Sequence, residues 1–343
     1  MAERPLKLRA KTLRPHKARV SAQFEIRNVL ANDPFVYVDL WLRRNHQEDA
    51  RFFWKQAGAF YKSAETLPLE AKPLLLYYCF MNAVKALLSA KSIPFNQHHG
   101  VGQGDTLGKF VLSNYGIEIR NAGILPSLSG YYNETEPSTR HSLEDIFYNL
   151  VHIHRTYCLT YPRRRDLFLP LRDAMFVRDN VTGNTRVRAV VGSDVDWPSY
   201  RRAMPGNFTH YLEGADRVVE SISTATLSIA AVPTAADLTQ VAHLNQTIRE
   251  RVKYIRGSQS LWYLKTDSPS SIAREQLTLT LAAMHRLSEL TRYQPKQLTS
   301  LLDGQRNWLL TEFIEMSPAQ FMDEIAAEIT GHQILVPNVR IPA

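Results

Sequence analysis

Two adjacent histidines, His98 and His99, open a run that reads Gly100-Val101-Gly102-Gln103-Gly104-Asp105-Thr106-Leu107-Gly108-Lys109. Imidazole titrates near neutrality, so a loop histidine can act as a general base, and together with Asp105 it offers donor types that metal ions use. Adjacent residues rarely hold one metal, however, and no third ligand is spaced nearby. The expected role is a loop histidine that caps a helix or donates to a backbone carbonyl. The glycines would let backbone amides approach an anion. The run lacks the Gly-Lys-Ser/Thr ending of a phosphate loop, and no clear strand precedes it, so it reads as a mobile connection.

His152, His154, Arg155 and Cys158 fall on one predicted helix. Residues two apart point about 200° from each other around a helix, so His152 shares its face with Arg155 and His154 with Cys158. The second pair has the spacing of a nucleophile and its base, or of half a metal site. No acid or second pair accompanies it, and both side chains read as core. Further on, Arg286, Glu289, Arg292 and Tyr293 lie close together on one helix, where Glu289 can reach both arginines. They read as a structural ion-pair cluster. The candidate pocket is drawn from His98, His99, His152, His154, Arg155, Arg286 and Arg292, with no catalytic or metal-binding role assigned and no cofactor expected.

Arginine interleaved with aromatic residues can neutralise phosphate and stack on bases. Residues 163 to 265 concentrate such clusters. They are Arg163-Arg164-Arg165, then Arg178, Arg186 and Arg188, expected on the wet face of a hairpin, then Arg201-Arg202 after Tyr200, and finally Arg249, Arg251, Lys253 and Arg256 ahead of Trp262. The whole chain carries 41 Lys+Arg against 33 Asp+Glu, a formal charge of +8. Such an excess favours polyanionic partners by raising their local concentration and association rate. None of these clusters gives base specificity, and a solvated arginine-rich surface is the bland alternative.

The elements that must position these residues follow from composition and periodicity. A chain of 343 residues exceeds the roughly 100 to 200 of one domain, and 44% hydrophobic with 22% charged residues excludes a disordered or fibrous protein. Residues 1–44 form a basic N-terminal arm and lead-in, mobile over its first 20 residues, whose cations read equally as a phosphate-tracking tail or as a terminus pairing with acidic surface of the same protein. A helical unit over 45–162 follows. It holds an amphipathic helix from Asp49 towards Pro68, a buried helix over Leu74–Ala90, and a third over Ser142–Tyr157 capped by Ser138 or Thr139. Residues 163–232 read as a β-rich basic module, with its clearest hairpin between Ala174–Arg178 and Thr185–Val191 and further strands over Thr209–Glu220 and Leu227–Val232. Residues 233–343 read as a C-terminal helical unit packing on the first, with helices over Ala236–Arg256, Ser270–Tyr293 and Pro318–Thr330. The fold class is α+β, mainly α. It is a helical scaffold with a small β-rich module in the middle of the chain.

Two blocks of residues carry a family resemblance. One is Gln56-Ala57-Gly58-Ala59-Phe60-Tyr61 with Pro73 to Leu88 and the isolated His99-Gly100. The other is His285 to Pro295, with Thr330-Gly331-His332 and Pro337. Together they resemble the YaaC-like proteins from about residue 50 to the end, which implies a relative and not an activity. The first block resembles, more loosely, the helical HEPN superfamily of prokaryotic nucleotide- and RNA-associated domains. RNA-cleaving members of that superfamily carry an arginine ahead of a histidine on a late helix. Here Arg155 follows both His152 and His154, and the pair in the right order, Arg9 and His16, lies in the basic arm.

The functional expectation is a non-enzymatic accessory factor that binds nucleic acid or another polyanion. Two alternatives stand beside it: a divergent HEPN-like nuclease or nucleotide-processing factor in prokaryotic stress or phage defence, and an assembly subunit whose partner is an acidic protein. The longest apolar run, Leu74 to Met81, is too short for a membrane span, and the N-terminus lacks the apolar block of a secretory signal. With Cys79 and Cys158 alone, no disulfide framework is expected and the cytoplasm is the fitting compartment.

Overall fold

The computed structural model describes residues 3–31, 33–105, 111–192, 195–257 and 260–335. Its described residues hold eleven α-helices and mixed sheets, an α+β fold in which helix predominates. The chain divides into two units. A helical unit comprises Asp33–Asp166 and Ser270–Ile329, and a sheet unit comprises Met1–Asn32, Leu167–Pro269 and Thr330–Ala343.

The helical unit is organised around the helix Lys72–Ala90, whose side chains are apolar almost all round. Pro73 suits its first turn, where the missing N–H costs nothing. It packs against the helices Glu48–Glu65 and Gln276–Tyr293. Inside, Phe80 stacks on Phe321 with ring centroids 4.1 Å apart, and both rings are buried. Lys72–Ala90 is the one described helix long and apolar enough to cross a bilayer, but two thirds of that apolar window is buried within the protein. Phe321 lies on the helix Asn307–Thr330, which runs through Pro318 and is longer than the Pro318–Thr330 expected. The single helix expected over Ser142–Tyr157 is three short pieces, Leu143–Tyr148, a 3-10 turn Val151–Ile153, and His154–Thr160. Its cap is Ser142, which accepts from Asp145 N at 3.1 Å, rather than Ser138 or Thr139.

The sheet unit is larger than the module read over 163–232. In spatial order its strands are Phe208–Glu213, Asp216–Ser221, Asn184–Val191, Phe168–Asp179, Leu261–Lys265 and Val252–Ile255, each antiparallel to its neighbour. Burial alternates strictly along Asn184–Val191, so Thr185, Val187, Ala189 and Val191 face the core. The helix Ala235–Ile248 adds Leu238, Val241, Leu244 and Ile248 to the same core. The helix expected over Ala236–Arg256 therefore stops at Ile248, because Val252-Lys253-Tyr254-Ile255 pairs with Leu261–Lys265. No strand forms over Leu227–Val232.

The basic arm is the clearest departure from expectation. Glu3–Pro5 pairs with Val177–Asp179, and Lys7–Leu8 forms a tight hairpin with Lys11–Thr12. Leu6 and Leu13 enter the core. His16, Lys17 and Arg19 are buried, with Lys17 Nζ donating to the Ile334 carbonyl at 2.9 Å and Arg19 paired with Glu250 at 2.9 Å. Charge density suggested a solvated arm. Two well-placed leucines and buried carbonyl acceptors outweigh it. The domain division shifts accordingly, since 233–269 belongs to the sheet unit and only 270–329 joins the helical one.

Candidate functional site

Three elements of the helical unit meet around His99. The helix Lys72–Ala90 supplies Tyr77 and Lys85, and the segment after it supplies His99 itself. The helix Gln276–Tyr293 supplies His285, Arg286, Glu289 and Arg292. At 100° per residue, positions 285, 289 and 292 fall within about 60° of one another, so imidazole, carboxylate and guanidinium share one stripe.

The backbone pins the histidine segment. The carbonyls of His98 and His99 accept from Ile124 N at 2.8 Å and Leu125 N at 3.2 Å, the otherwise orphaned first-turn amides of the helix Ile124–Tyr131. Gly100 stands at φ +75°, and a Cβ there would lie 2.3 Å from Pro126 Cδ. Only glycine fits, which fixes the direction in which His99 leaves the chain. The glycine run is therefore not a mobile connection throughout. Val101–Gln103 is a strand in a three-stranded sheet with Gly116–Ile119 and Arg140–Ser142. Thr106 to Lys109 lie outside the described residues.

The Tyr77 hydroxyl is hydrogen-bonded to His99 Nδ1. His285 lies edge-on to Tyr77 with ring centroids 4.9 Å apart, and 5.6 Å from the His99 ring. His285 is 4% exposed, and its Nδ1 has no hydrogen-bond partner; Glu289 Oε2 stands 3.8 Å away, beyond hydrogen-bond range. Burial pushes His285 down to about 3, helped by His99 and by the cations Arg292, Arg286 and Arg120. His99 is exposed as a residue, and its partial desolvation lowers it, with Arg292 and Lys85 acting in the same direction. Both imidazoles are neutral at pH 7. Burial raises Tyr77, so its hydroxyl keeps its proton.

Arg286 and Arg292 divide into two roles. Arg286 is 1% exposed, with its guanidinium on the Asp105 carboxylate, including Nε to Oδ1 at 3.2 Å, and on Glu289 at 3.3 Å. It also covers the Tyr115 ring at 5.4 Å. A buried guanidinium needs this compensation, so Arg286 is a structural clamp. Arg292 is exposed, donates to the Ser288 carbonyl at 3.3 Å, lies over Tyr293 at 5.0 Å, and makes no ion pair among the described residues. Around the two imidazoles stand Arg286, Arg292, Arg120 and Lys85 against Asp105 and Glu289, and burial raises the Glu289 pKa. The site carries surplus positive charge.

The other residues singled out in the sequence lie elsewhere. His152 is buried, bonded through Nε2 to Ser317 Oγ at 2.9 Å, and held down to about 3 by burial. His154 Nδ1 donates to the Val151 carbonyl, and Arg155 is exposed. His98 is exposed and joins the site only through its backbone. Arg163 and Arg164 are exposed, with Arg164 3.5 Å from Glu144, while Arg165 is half-buried. Arg201 and Arg202 are exposed at the end of the helix Trp197–Arg202 and make no ion pair among the described residues.

The hairpin arginines do not share a wet face. Arg178 is buried and donates to the Ser228 and Ala230 carbonyls at 2.9 and 3.0 Å. Arg186 pairs with Glu3 and Glu220, and Arg188 with Glu213 and Glu220. Arg249 is buried against Tyr254 and Trp262 and donates to the Lys17 carbonyl at 3.0 Å. Lys253, 1% exposed, donates to the Arg249 carbonyl, while Arg251 pairs with Asp267 at 2.8 Å and Arg256 is half-buried. Glutamates distant in sequence but adjacent across the sheet, such as Glu220 opposite Arg188, account for the difference.

Sequence reasoning did not single out His285, Tyr77, Lys85 or Arg120 for this site. The signal for His285 was its spacing of one, four and seven from Arg286, Glu289 and Arg292. Tyr77 carries no such signal, since its run is apolar throughout. Among known proteins, a family described as YaaC-like Protein matches residues 18–329. Comparisons with curated proteins and with solved structures found no match.

Proposed function

The chain belongs to the YaaC-like family, and we propose that this member binds phosphate-bearing polyanions, nucleic acid foremost, through the cluster of His99, His285 and Arg292. The observation that carries the reading is the contact of two neutral imidazoles amid cations that outnumber the carboxylates. Arg292 offers an exposed guanidinium, and each imidazole gains a proton more readily once a phosphate is beside it. Arg163, Arg201 and Arg202 are exposed cations that would add non-specific contacts. The paired arginines of the sheet contribute little to this reading. Two free thiols, Cys79 and Cys158, suit a reducing cytoplasm.

The test is a salt titration of fluorescein-labelled single-stranded RNA and DNA against the protein and its Arg292→Ala variant, followed by anisotropy. Binding that weakens with salt and falls at least tenfold in the variant supports the reading. No measurable binding at low salt sinks it.

A second reading is phosphodiester cleavage, in line with the looser resemblance to HEPN nucleases. It is favoured by the buried, unpartnered Nδ1 of His285, a neutral imidazole able to take a hydroxyl proton while His99, once protonated beside the bound phosphate, delivers one to the leaving oxygen. Labelled RNA incubated with the protein would be shortened, and His285→Gln, checked as folded by circular dichroism, would stop the reaction. Intact RNA after prolonged incubation excludes it.

A further inference from the structure

The sheet unit contains a cavity of about 880 Å³. The arm read as mobile forms one wall of it, and the stretch after it another. Its floor is apolar and partly aromatic, with Leu13, Phe24, Leu171 and Trp262 all in the core of this unit. Its rim is cationic, with Arg9, Lys11, Arg14, Arg27 and Arg172 exposed against the acids Glu25 and Asp173. Arg14 reaches Asp173 at 3.5 Å. Arg9, Lys11, Arg27 and Arg172 make no ion pair among the described residues, so four cations point their charge at one cleft.

The backbone supplies a second, independent observation. Arg9 and Ala10 form the two-residue loop between Lys7–Leu8 and Lys11–Thr12, at φ +50° and +64°. A loop with both central residues at positive φ favours Asn-Gly, because a Cβ is disfavoured there. Asp173, in the register shift between Arg172 and Met175, is also at φ +50°. Strained non-glycine backbone thus flanks the cleft on two sides and puts Arg9 and Arg172 on its rim. Strain of this kind persists only where surrounding structure over-determines it, and it clusters at ligand sites.

We infer that this cleft binds a nucleoside phosphate, with its phosphates on Arg9, Lys11, Arg27 and Arg172 and its base on the floor beside Phe24 and Trp262. The volume is within the range of small-molecule sites, and an apolar floor under a cationic rim complements a base joined to phosphate better than it does a bare anion. The nucleoside phosphate is either free or part of a nucleic-acid strand. This site is separate from the histidine cluster and does not depend on the reading given to it.

Calorimetric titration with ATP, with a pentanucleotide of single-stranded RNA and with tripolyphosphate tests the inference, each on the full chain and on the double variant Arg27→Ala/Arg172→Ala. Both residues are exposed rim positions, and circular dichroism checks that the variant is folded. Saturable binding of ATP or the pentanucleotide, tighter than tripolyphosphate and weakened at least tenfold in the double variant, is the expected result. ATP as the tighter ligand identifies a free nucleotide, and the pentanucleotide as the tighter one identifies a strand. No saturable binding of either, binding unchanged in the folded variant, or equal affinity for tripolyphosphate overturns the assignment. ATP binding lost in the folded double variant but kept in Arg292→Ala places the nucleotide in this cleft, whereas ATP binding lost only in Arg292→Ala places it at the histidine cluster and overturns the assignment.

Discussion

Partial desolvation and the cations Arg292 and Lys85 hold the exposed His99 below the usual histidine pKa, so it is neutral in the free protein at pH 7. A phosphate at the site reverses the electrostatic part of that shift and raises the pKa, which means binding takes up a proton. The gain in affinity is complete below the free-state pKa and lost as pH rises through the bound-state value. Affinity for labelled single-stranded RNA at constant ionic strength will therefore rise as pH is lowered from 8 to 6, by up to about tenfold per unit for each proton taken up. The slope will flatten in His99→Gln, as read by anisotropy, and a slope unchanged in that variant would assign the proton elsewhere. Arg178 is the contrasting residue. Its guanidinium satisfies two carbonyls, at Ser228 and Ala230, and is buried. Arg178→Ala will destabilise the protein by about 2 kcal/mol in urea unfolding, because those acceptors lose their donor. RNA affinity will stay within about twofold. A loss of affinity without loss of stability would instead make Arg178 a ligand contact.

At the scale of elements, the helix Ala235–Ile248 depends on one carboxylate. Asp237 accepts from Ser228 N and Oγ at 2.8 and 2.6 Å and from Thr234 N and Oγ1 at 2.8 and 2.9 Å, while Thr234 Oγ1 accepts from Asp237 N. Although burial pushes its pKa up, those hydrogen bonds outweigh burial and hold it well below the carboxylate range. Asp237→Ala will cost about 2 to 4 kcal/mol by urea unfolding, since it removes a capping box and strips the 228 backbone of its acceptor. Asp237→Asn will cost about half as much, because its amide oxygen still accepts, and equal costs would show that charge and not geometry matters. Elements of this kind were legible where periodicity was strong. The hairpin around Asn180–Gly183 and the buried helix through Leu74–Leu88 follow directly from alternation and from an all-round apolar face. Val252–Ile255 was not legible, because four residues after a helix look like its last turn until Leu261–Lys265 offers them a ladder. The histidine cluster was half legible for the same reason. His99 and Arg292 stand out locally, but only the packing of Lys72–Ala90 on Gln276–Tyr293 brings Tyr77 and His285 to them.

Across the whole molecule, both units bury neutral imidazoles, and that ties their stability to pH. His16 lies in the sheet unit, and His152 and His285 lie in the helical unit; burial first of all holds each down to about 3. Neighbouring cations add to burial at His16, where Arg249 and Lys17 act, and at His285. A folded-state pKa below the unfolded value near 6.5 means the native state favours the neutral ring. The corresponding stability is present above pH 6.5 and is lost as pH falls towards 3. Each such ring costs about 1.4 kcal/mol per pH unit within that window, so each withdraws about 2 kcal/mol by pH 5, a large share of a stability of roughly 5 to 15 kcal/mol. Urea unfolding at pH 7 and pH 5 will show this loss. In His152→Gln, whose amide can still bond Ser317, the loss between the two pH values will be smaller by about 2 kcal/mol. If the wild-type protein loses less than about 1 kcal/mol over that interval, these rings are not the proton-linked groups that set its acid stability. Both units are assembled from separated stretches of chain, with 270–329 joining 33–166 in the helical one and 3–31 and 330–335 joining 167–269 in the sheet one. The acid transition will therefore be measurable only on the full chain, and unfolding monitored by tryptophan fluorescence and by circular dichroism will show the same ordering of wild type and His152→Gln at both pH values.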